Sequence, residues 1–169
     1  MPISAAQPPS AVPPLPERRQ PPWIMQHVVD PLTVWAVGGL GLDDHNGTRV
    51  IEVRGRTSGA WRATPVKLLE LDGRRYLVAM YGQTGWARNL RASGAGRLRQ
   101  GRAVTDFSAV ELADADKLPV LRAYFRRWWA LVARMTPVSS PTAPDEEVAA
   151  AAHLHPVFRL EPPAPRRSL

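Results

Sequence analysis

The chain has 169 residues, 44% of them hydrophobic, and a formal charge of +7, enough to bury one core and no more. No run of about 18 uninterrupted apolar residues occurs, because the best stretch, residues 28–42, is cut by Asp30 and Pro31; a membrane-spanning helix is therefore not expected. With no cysteine in the chain, disulfides, thiolate metal sites and cysteine nucleophiles are excluded.

The first 22 residues carry proline at positions 2, 8, 9, 13, 14, 16, 21 and 22, which can propagate neither a helix nor a central strand, so an extended or disordered arm is expected. Its basic residues follow its apolar ones, unlike a secretory signal, and a cytoplasmic location is expected. One domain is expected over residues 23–161, followed by a basic tail over 162–169. From Trp23 to Val37, Ile24, Val28, Leu32, Trp35 and Ala36 fall at helical spacing, broken at Asp30-Pro31, which predicts one or two helices ending at Gly38-Gly39.

The next section reads as sheet. Val50, Ile51 and Val53 form a short strand, Gly55 and Gly59 bracket a tight loop, and a second strand runs from Trp61 to Leu71. Asp72-Gly73 tolerates the positive φ angles of a type I′ turn, so this strand is predicted to pair antiparallel with Arg74–Met80. After a loop at residues 81–85, a short helix is expected from Trp86 to about Ala92, ending where Gly94 can take the left-handed cap. A second hairpin is predicted to turn at Gln100-Gly101, linking Arg97–Arg99 to Ala103–Leu112.

Asp114 and Asp116 are candidate caps for a helix reaching Met135, with Pro119 in its first turn and Leu118, Leu121, Phe125, Trp128 and Val132 along one face. Trp128 and Trp129 are expected to pack that helix onto the sheet. A short helix over Glu146–Ala152 and a last strand over Pro156–Leu160 complete the order. Helix, several hairpins, helix and strand describe an α+β fold built on an antiparallel barrel, not a doubly wound sheet.

Several chemistries are excluded by motif. The segment GRTSGAW lacks the lysine and spacing of a phosphate-binding loop, no Gly-x-Gly-x-x-Gly follows a strand, and Ser58 lies in no nucleophile elbow. His153 and His155 would share one side of a strand with no third ligand nearby, so solvent exposure is expected rather than a metal. No metal site is predicted. Between Arg49 and Arg102, twelve basic residues stand against three acidic ones, and arginine suits bidentate contacts to phosphate or carboxylate. Nucleic acid is one such anion, yet no nucleic-acid-binding signature is present. What remains is Arg56-Thr57-Ser58-Gly59, then Arg62 and Thr64-Pro65, which bring hydroxyls, amides and guanidiniums to one small volume. A solvated turn flanked by surface arginines would look the same.

The run Gly55-Arg56-Thr57-Ser58-Gly59-Ala60-Trp61-Arg62-Ala63-Thr64-Pro65, followed by strand, Asp72-Gly73, strand and Trp86-Ala87-Arg88-Asn89-Leu90-Arg91-Ala92, resembles the deazaflavin-dependent nitroreductase and quinone reductase family of actinobacteria. The resemblance spans residues 50–112, with weaker support from His155–Leu160. It implies a split β-barrel of antiparallel strands with flanking helices and the cofactor coenzyme F420, whose phosphodiester and polyglutamate tail would account for the local positive charge. FMN is the less favoured cofactor. By motif position, Arg56, Thr57, Ser58 and Gly59 would cradle the phosphate side, with Arg62 adding charge and Thr64 and Pro65 lying along the ring. Met80, Tyr81, Gly82 and Gln83 would border deazaflavin and substrate, while Gly85, Trp86, Arg88 and Asn89 would close the pocket.

The family pattern is not met everywhere. Thr57 stands where many members have lysine, and Met80 and Tyr81 stand where quinone-reducing members commonly have serine and lysine. The resemblance implies an oxidoreductase passing a hydride from reduced F420 to a quinone, nitro or other electron-poor acceptor. Tyr81 is the first candidate catalytic proton donor or substrate contact and Tyr124 the second. The alternative is a non-catalytic binding protein for a deazaflavin, flavin or lipid-like ligand on the same barrel. A monomer or homodimer and a small-molecule acceptor are expected, and the apolar stretch of residues 23–42 is expected to pack against the barrel, with a peripheral membrane contact as the alternative.

Overall fold

The protein is described by a computed structural model that covers residues 47–100 and 103–163. The expected N-terminal arm, the helices over residues 23–37, the Gln100-Gly101 turn beyond Gln100 and the basic tail beyond Pro163 lie outside the described residues. Six strands follow in order: β1 (Thr48–Arg54), β2 (Trp61–Leu71), β3 (Arg74–Val78), β4 (Ala95–Gln100), β5 (Ala103–Glu111) and β6 (Val157–Glu161). They close an antiparallel barrel in the order β1-β2-β3-β6-β5-β4. Among the described residues, three α-helices flank it: α1 (Gly85–Ser93), α2 (Leu118–Val132) and α3 (Asp145–Ala151).

The two-residue period of the strands produces two cores. Val66 and Leu68 of β2 face the barrel interior beside Ile51, Val53, Leu77, Leu98, Phe107, Phe158 and Leu160, and Ala87 and Leu90 of α1 join them. The alternate residues Leu69 and Leu71 of β2, with Tyr76 and Val78 of β3 and Val157 of β6, face outward against Val120, Leu121, Tyr124, Phe125, Trp128 and Val132 of α2 and Val148 and Ala151 of α3. Helix α2 is amphipathic on that face because these residues recur every three or four positions. Trp128 and Trp129 pack there as expected.

Turn chemistry agrees with the local sequence. Asp72 and Gly73 both have positive φ, 50° and 70°, the geometry of a type I′ hairpin. Gly94 ends α1 at φ 64°, its N–H meeting the Leu90 carbonyl. Two expectations are corrected. Asp114 and Asp116 do not cap α2; they form a short 3-10 turn, and Lys117 precedes the helix without a side-chain cap. A lysine ammonium near Asp114 removes the free carboxylate a cap requires, since Lys117 Nζ donates to Asp114 Oδ1 at 2.6 Å. His153 and His155 do not share a strand face. Residues 152–154 turn as a 3-10 segment before β6 starts, which leaves His153 outside and turns His155 inward to 1% exposure.

Strand direction decides where the motifs meet. β1, β3 and β5 run the same way because each is separated from the next by one antiparallel neighbour. The β1–β2 loop, the exit from β3 into α1, the end of β5 at Glu111 and the entry into β6 therefore gather at one end of the barrel.

Candidate anion and cofactor site

The loop between β1 and β2 is a compact turn. Gly55 N–H donates to the Ala60 carbonyl and Gly59 N–H to the Gly55 carbonyl, both at 2.8 Å. Gly59 takes φ 65° with open space where a Cβ would stand, a conformation in which glycine is unstrained. Ser58 Oγ accepts from Ala60 N at 3.3 Å, and Arg54 Nη1 donates to the Gly59 carbonyl at 2.9 Å.

This loop is tied to α1 through one side chain. Asn89 Oδ1 accepts from Arg56 N at 3.3 Å and from Arg56 Nη1 at 3.2 Å, and Asn89 is only 8% exposed. A buried amide needs its partners, so Asn89 fixes both the backbone and the guanidinium of Arg56. The two sequence motifs, 33 residues apart, are thus brought into contact. Arg62, at the start of β2, lies beside the loop, its Cγ 3.8 Å from the position of a Cβ on Gly55.

Helix α1 begins at Thr84, whose side chain accepts from Ala87 N, and has no acidic residue in its first turn. Its amide end is therefore favourable to an anion. Trp86 tilts against Phe158 with ring centroids 5.9 Å apart and packs, partly buried, on the inner core. Arg88 Nε donates to the Gln83 carbonyl at 2.9 Å.

The segment between β3 and α1 is a braced turn. Ala79 N donates to Pro156 O, Gly82 N to Ala79 O and Thr84 N to Gly82 O, at 2.9, 3.1 and 2.8 Å. Met80 is buried in the outer core, whereas Tyr81 stands 37% exposed and Gln83 is exposed. Thr64 and Pro65 face opposite sides of β2, Thr64 inward with Val66 and Pro65 outward and exposed. The two tyrosines are set apart. Tyr124 is 3% exposed in the α2 core, its ring 4.7 Å from Trp128, and burial pushes its phenol well above the ordinary range.

Arg91, Arg97 and Arg99 each meet a carboxylate, Glu111, Asp106 and Glu52 respectively. Among the described residues, Arg56, Arg62 and Arg88 form no ion pair. Unbalanced guanidiniums beside a glycine turn and a helix N-terminus fit an anionic cofactor such as a deazaflavin phosphodiester. No group of His, Cys, Asp and Glu able to hold a metal occurs among the described residues, nor is any described helix long and apolar enough to cross a membrane.

Sequence reasoning did not single out Arg91, Glu111 or Thr84. Arg91 donates bidentately to Glu111 at 2.5 and 2.6 Å and through Nη1 to Gln83 Oε1 at 2.6 Å. Its hydrogen bond to Glu111 raises its pKa further. Only the fold brings these partners together, so nothing local in the sequence marks them. Thr84 carried a local signal, a hydroxyl residue two positions before Trp86.

The chain is similar in structure to an F420-H2 dependent reductase, with 20% identity, 68% of this chain and 94% of that chain covered, and a TM-score of 0.48. It is similar to the heme storage protein of Vibrio cholerae, at 12% identity, 72% and 84% coverage and a TM-score of 0.49. A FAD-binding protein from Mesorhizobium loti gives 18% identity, 71% and 83% coverage and a TM-score of 0.44. A comparison with curated proteins finds no match. Residues 34–141 match the F420H(2)-dependent quinone reductases, and the chain belongs to that family of oxidoreductases.

Proposed function

We propose that the protein reduces a quinone, nitro compound or similar electron-poor acceptor, holding reduced F420 at the loop and helix end of the barrel. The observation that carries this reading is that Asn89 ties Arg56 of the glycine loop to α1, where Arg56, Arg62 and Arg88 meet no carboxylate among the described residues. When bound, the deazaflavin supplies a hydride from its C5. The protein supplies position. In this reading Arg56 and Arg62 hold the anionic side, with Arg56 kept in one orientation by Asn89. Thr57, Ser58 and Gly59 offer hydroxyls and amides to the phosphate, and the start of α1 at Gly85 and Trp86 adds the favourable end of a helix dipole.

Thr64, on the inner face of β2, borders the ring, and Trp86 excludes water from the barrel side by its packing on Phe158. Tyr81 is the side chain of its turn exposed to an incoming acceptor, where its phenol can donate a hydrogen bond to an oxygen that gains negative charge. Tyr124 is the weaker candidate for that role, because its buried phenol sits against Trp128 in the helix core. Met80 contributes through core packing beneath the turn.

The reading is tested by fluorescence titration of the protein with F420 and FMN, using wild type, Arg56→Ala and Arg62→Ala. Each substitution is expected to weaken deazaflavin binding at least about tenfold, the scale of a charge-assisted hydrogen bond. Binding untouched by both would remove the cofactor from this site. Tight binding without turnover of quinone or nitro acceptors would favour a ligand-holding role, which the threonine at position 57 and the Met80-Tyr81 pair motivate.

A further inference from the structure

We infer that Arg91 is a positioning residue for the acceptor side of the site: anchored on Glu111, it grips the Gln83 side chain and so sets the turn that presents Tyr81. This rests on the reading that the Met80–Gln83 segment borders the acceptor. Three arms of one guanidinium are used. Nε and Nη2 meet the two Glu111 oxygens at 2.5 and 2.6 Å, and Nη1 reaches Gln83 Oε1 at 2.6 Å.

Glu111 is the last residue of β5, a strand of the closed barrel, and it aligns with Phe158 in β6. The anchor is therefore part of the rigid frame. A planar guanidinium held in a two-pronged contact keeps its orientation better than one held at a single point. Gln83 is held a second time, since Arg88 Nε donates to its backbone carbonyl at 2.9 Å. Both arginines rise from α1 one turn apart, so the helix clasps main chain and side chain of the same residue.

The turn upstream of Gln83 is otherwise held by its backbone alone. Gly82 lies at φ 69°, with the Leu154 carbonyl 3.3 Å from where its Cβ would stand. Tyr81 and Gln83 are both exposed, so no buried side chain after Met80 pins this stretch before Thr84. Two internal amide bonds, from Gly82 N and Thr84 N, hold its shape. Removing the grip on Gln83 would let Tyr81 sample other orientations, and a misplaced contact group costs rate or affinity without touching the cofactor. The engagement also assigns Gln83 Oε1 to Arg91, leaving the side-chain NH2 as the part of this residue free to face a ligand.

Arg91→Ala, Gln83→Ala, the double variant and Arg91→Lys are compared by steady-state kinetics with reduced F420 and menadione, by deazaflavin titration and by amide hydrogen exchange. Each single variant is expected to raise the KM for menadione about tenfold, and Arg91→Ala, whose residue is given no cofactor contact, should hold deazaflavin affinity within about twofold. The double variant should be no worse than either single one, because the two residues act as one contact. Lysine, able to meet one partner at a time, should recover part of the loss. Exchange at the Gly82 and Thr84 amides should quicken in Arg91→Ala while that of β3 does not. The inference is overturned if Gln83→Ala is harmless where Arg91→Ala is not, if the effects add, or if deazaflavin affinity falls in parallel in Arg91→Ala. A wild type that binds no deazaflavin would defeat the functional reading alone, and the exchange at Gly82 and Thr84 would still decide the clamp.

Discussion

At the scale of single residues, buried polar groups explain more than exposed ones. Asn89 joins two motifs because its one oxygen satisfies both Arg56 donors. His155 is the opposite case. Its Nε2 lies 3.1 Å from Thr136 Oγ1, while Nδ1 has no hydrogen-bond partner among the described residues. Burial lowers its pKa to about 4; the nearby backbone of Met80 and Ala79 opposes the shift, and the Lys117 ammonium adds to it. The imidazole is thus neutral in the fold but takes a proton in the unfolded chain below its ordinary value of 6.5. The unfolded state binds more protons between those values, so stability is complete above pH 6.5 and falls as pH drops toward 4. Urea unfolding should show a loss of about 2 kcal/mol between roughly pH 7.5 and pH 5 that is absent in His155→Gln. An equal loss in the variant would assign the pH dependence to other groups. The sequence alone placed His155 on a strand with His153, and the 3-10 turn at residues 152–154 removed that alternation.

At the scale of elements, hairpins were legible and helix starts less so. Asp72-Gly73 and Gly94 adopt positive φ because their immediate sequence favours it, without help from distant residues. The α2 start was misread because Asp114 found a closer partner in Lys117 than in any helix amide. Gly96 in β4 is a packing requirement of the closed barrel. A Cβ there would lie 2.7 Å from Phe107 Cζ and 2.9 Å from the Glu52 carbonyl, and neither the buried ring nor the strand backbone can yield without disturbing the barrel. Gly96→Ala is accordingly expected to destabilise the protein by about 1–3 kcal/mol in chemical denaturation. A change near zero would mean that β4 can slide away from Phe107 and that closure tolerates more slack than the register implies.

Across the whole molecule, some arginines meet carboxylates and others do not. Carboxylates meet Arg91, Arg97 and Arg99, while the loop and helix end keeps cations that meet none among the described residues. Long-range attraction of an anionic cofactor to that end should be screened by salt, so deazaflavin affinity is expected to weaken severalfold between about 0.01 M and about 0.5 M ionic strength. Thermal unfolding, dominated by two apolar cores, should move far less over that range, and a matching shift in both would attribute the effect to the fold. The sequence by itself determined the strand pairing through Asp72-Gly73, the amphipathic face of α2, the glycine-rich loop and the excess of arginine, because each depends on residues close in the chain. Only the tertiary structure decided which arginines remain unpaired, that Asn89 holds Arg56, that Arg91 joins Glu111 to Gln83 and that Tyr124 and Met80 pack in a core. Those contacts span many residues, and chain reversals in a closed barrel set distances that no local pattern encodes.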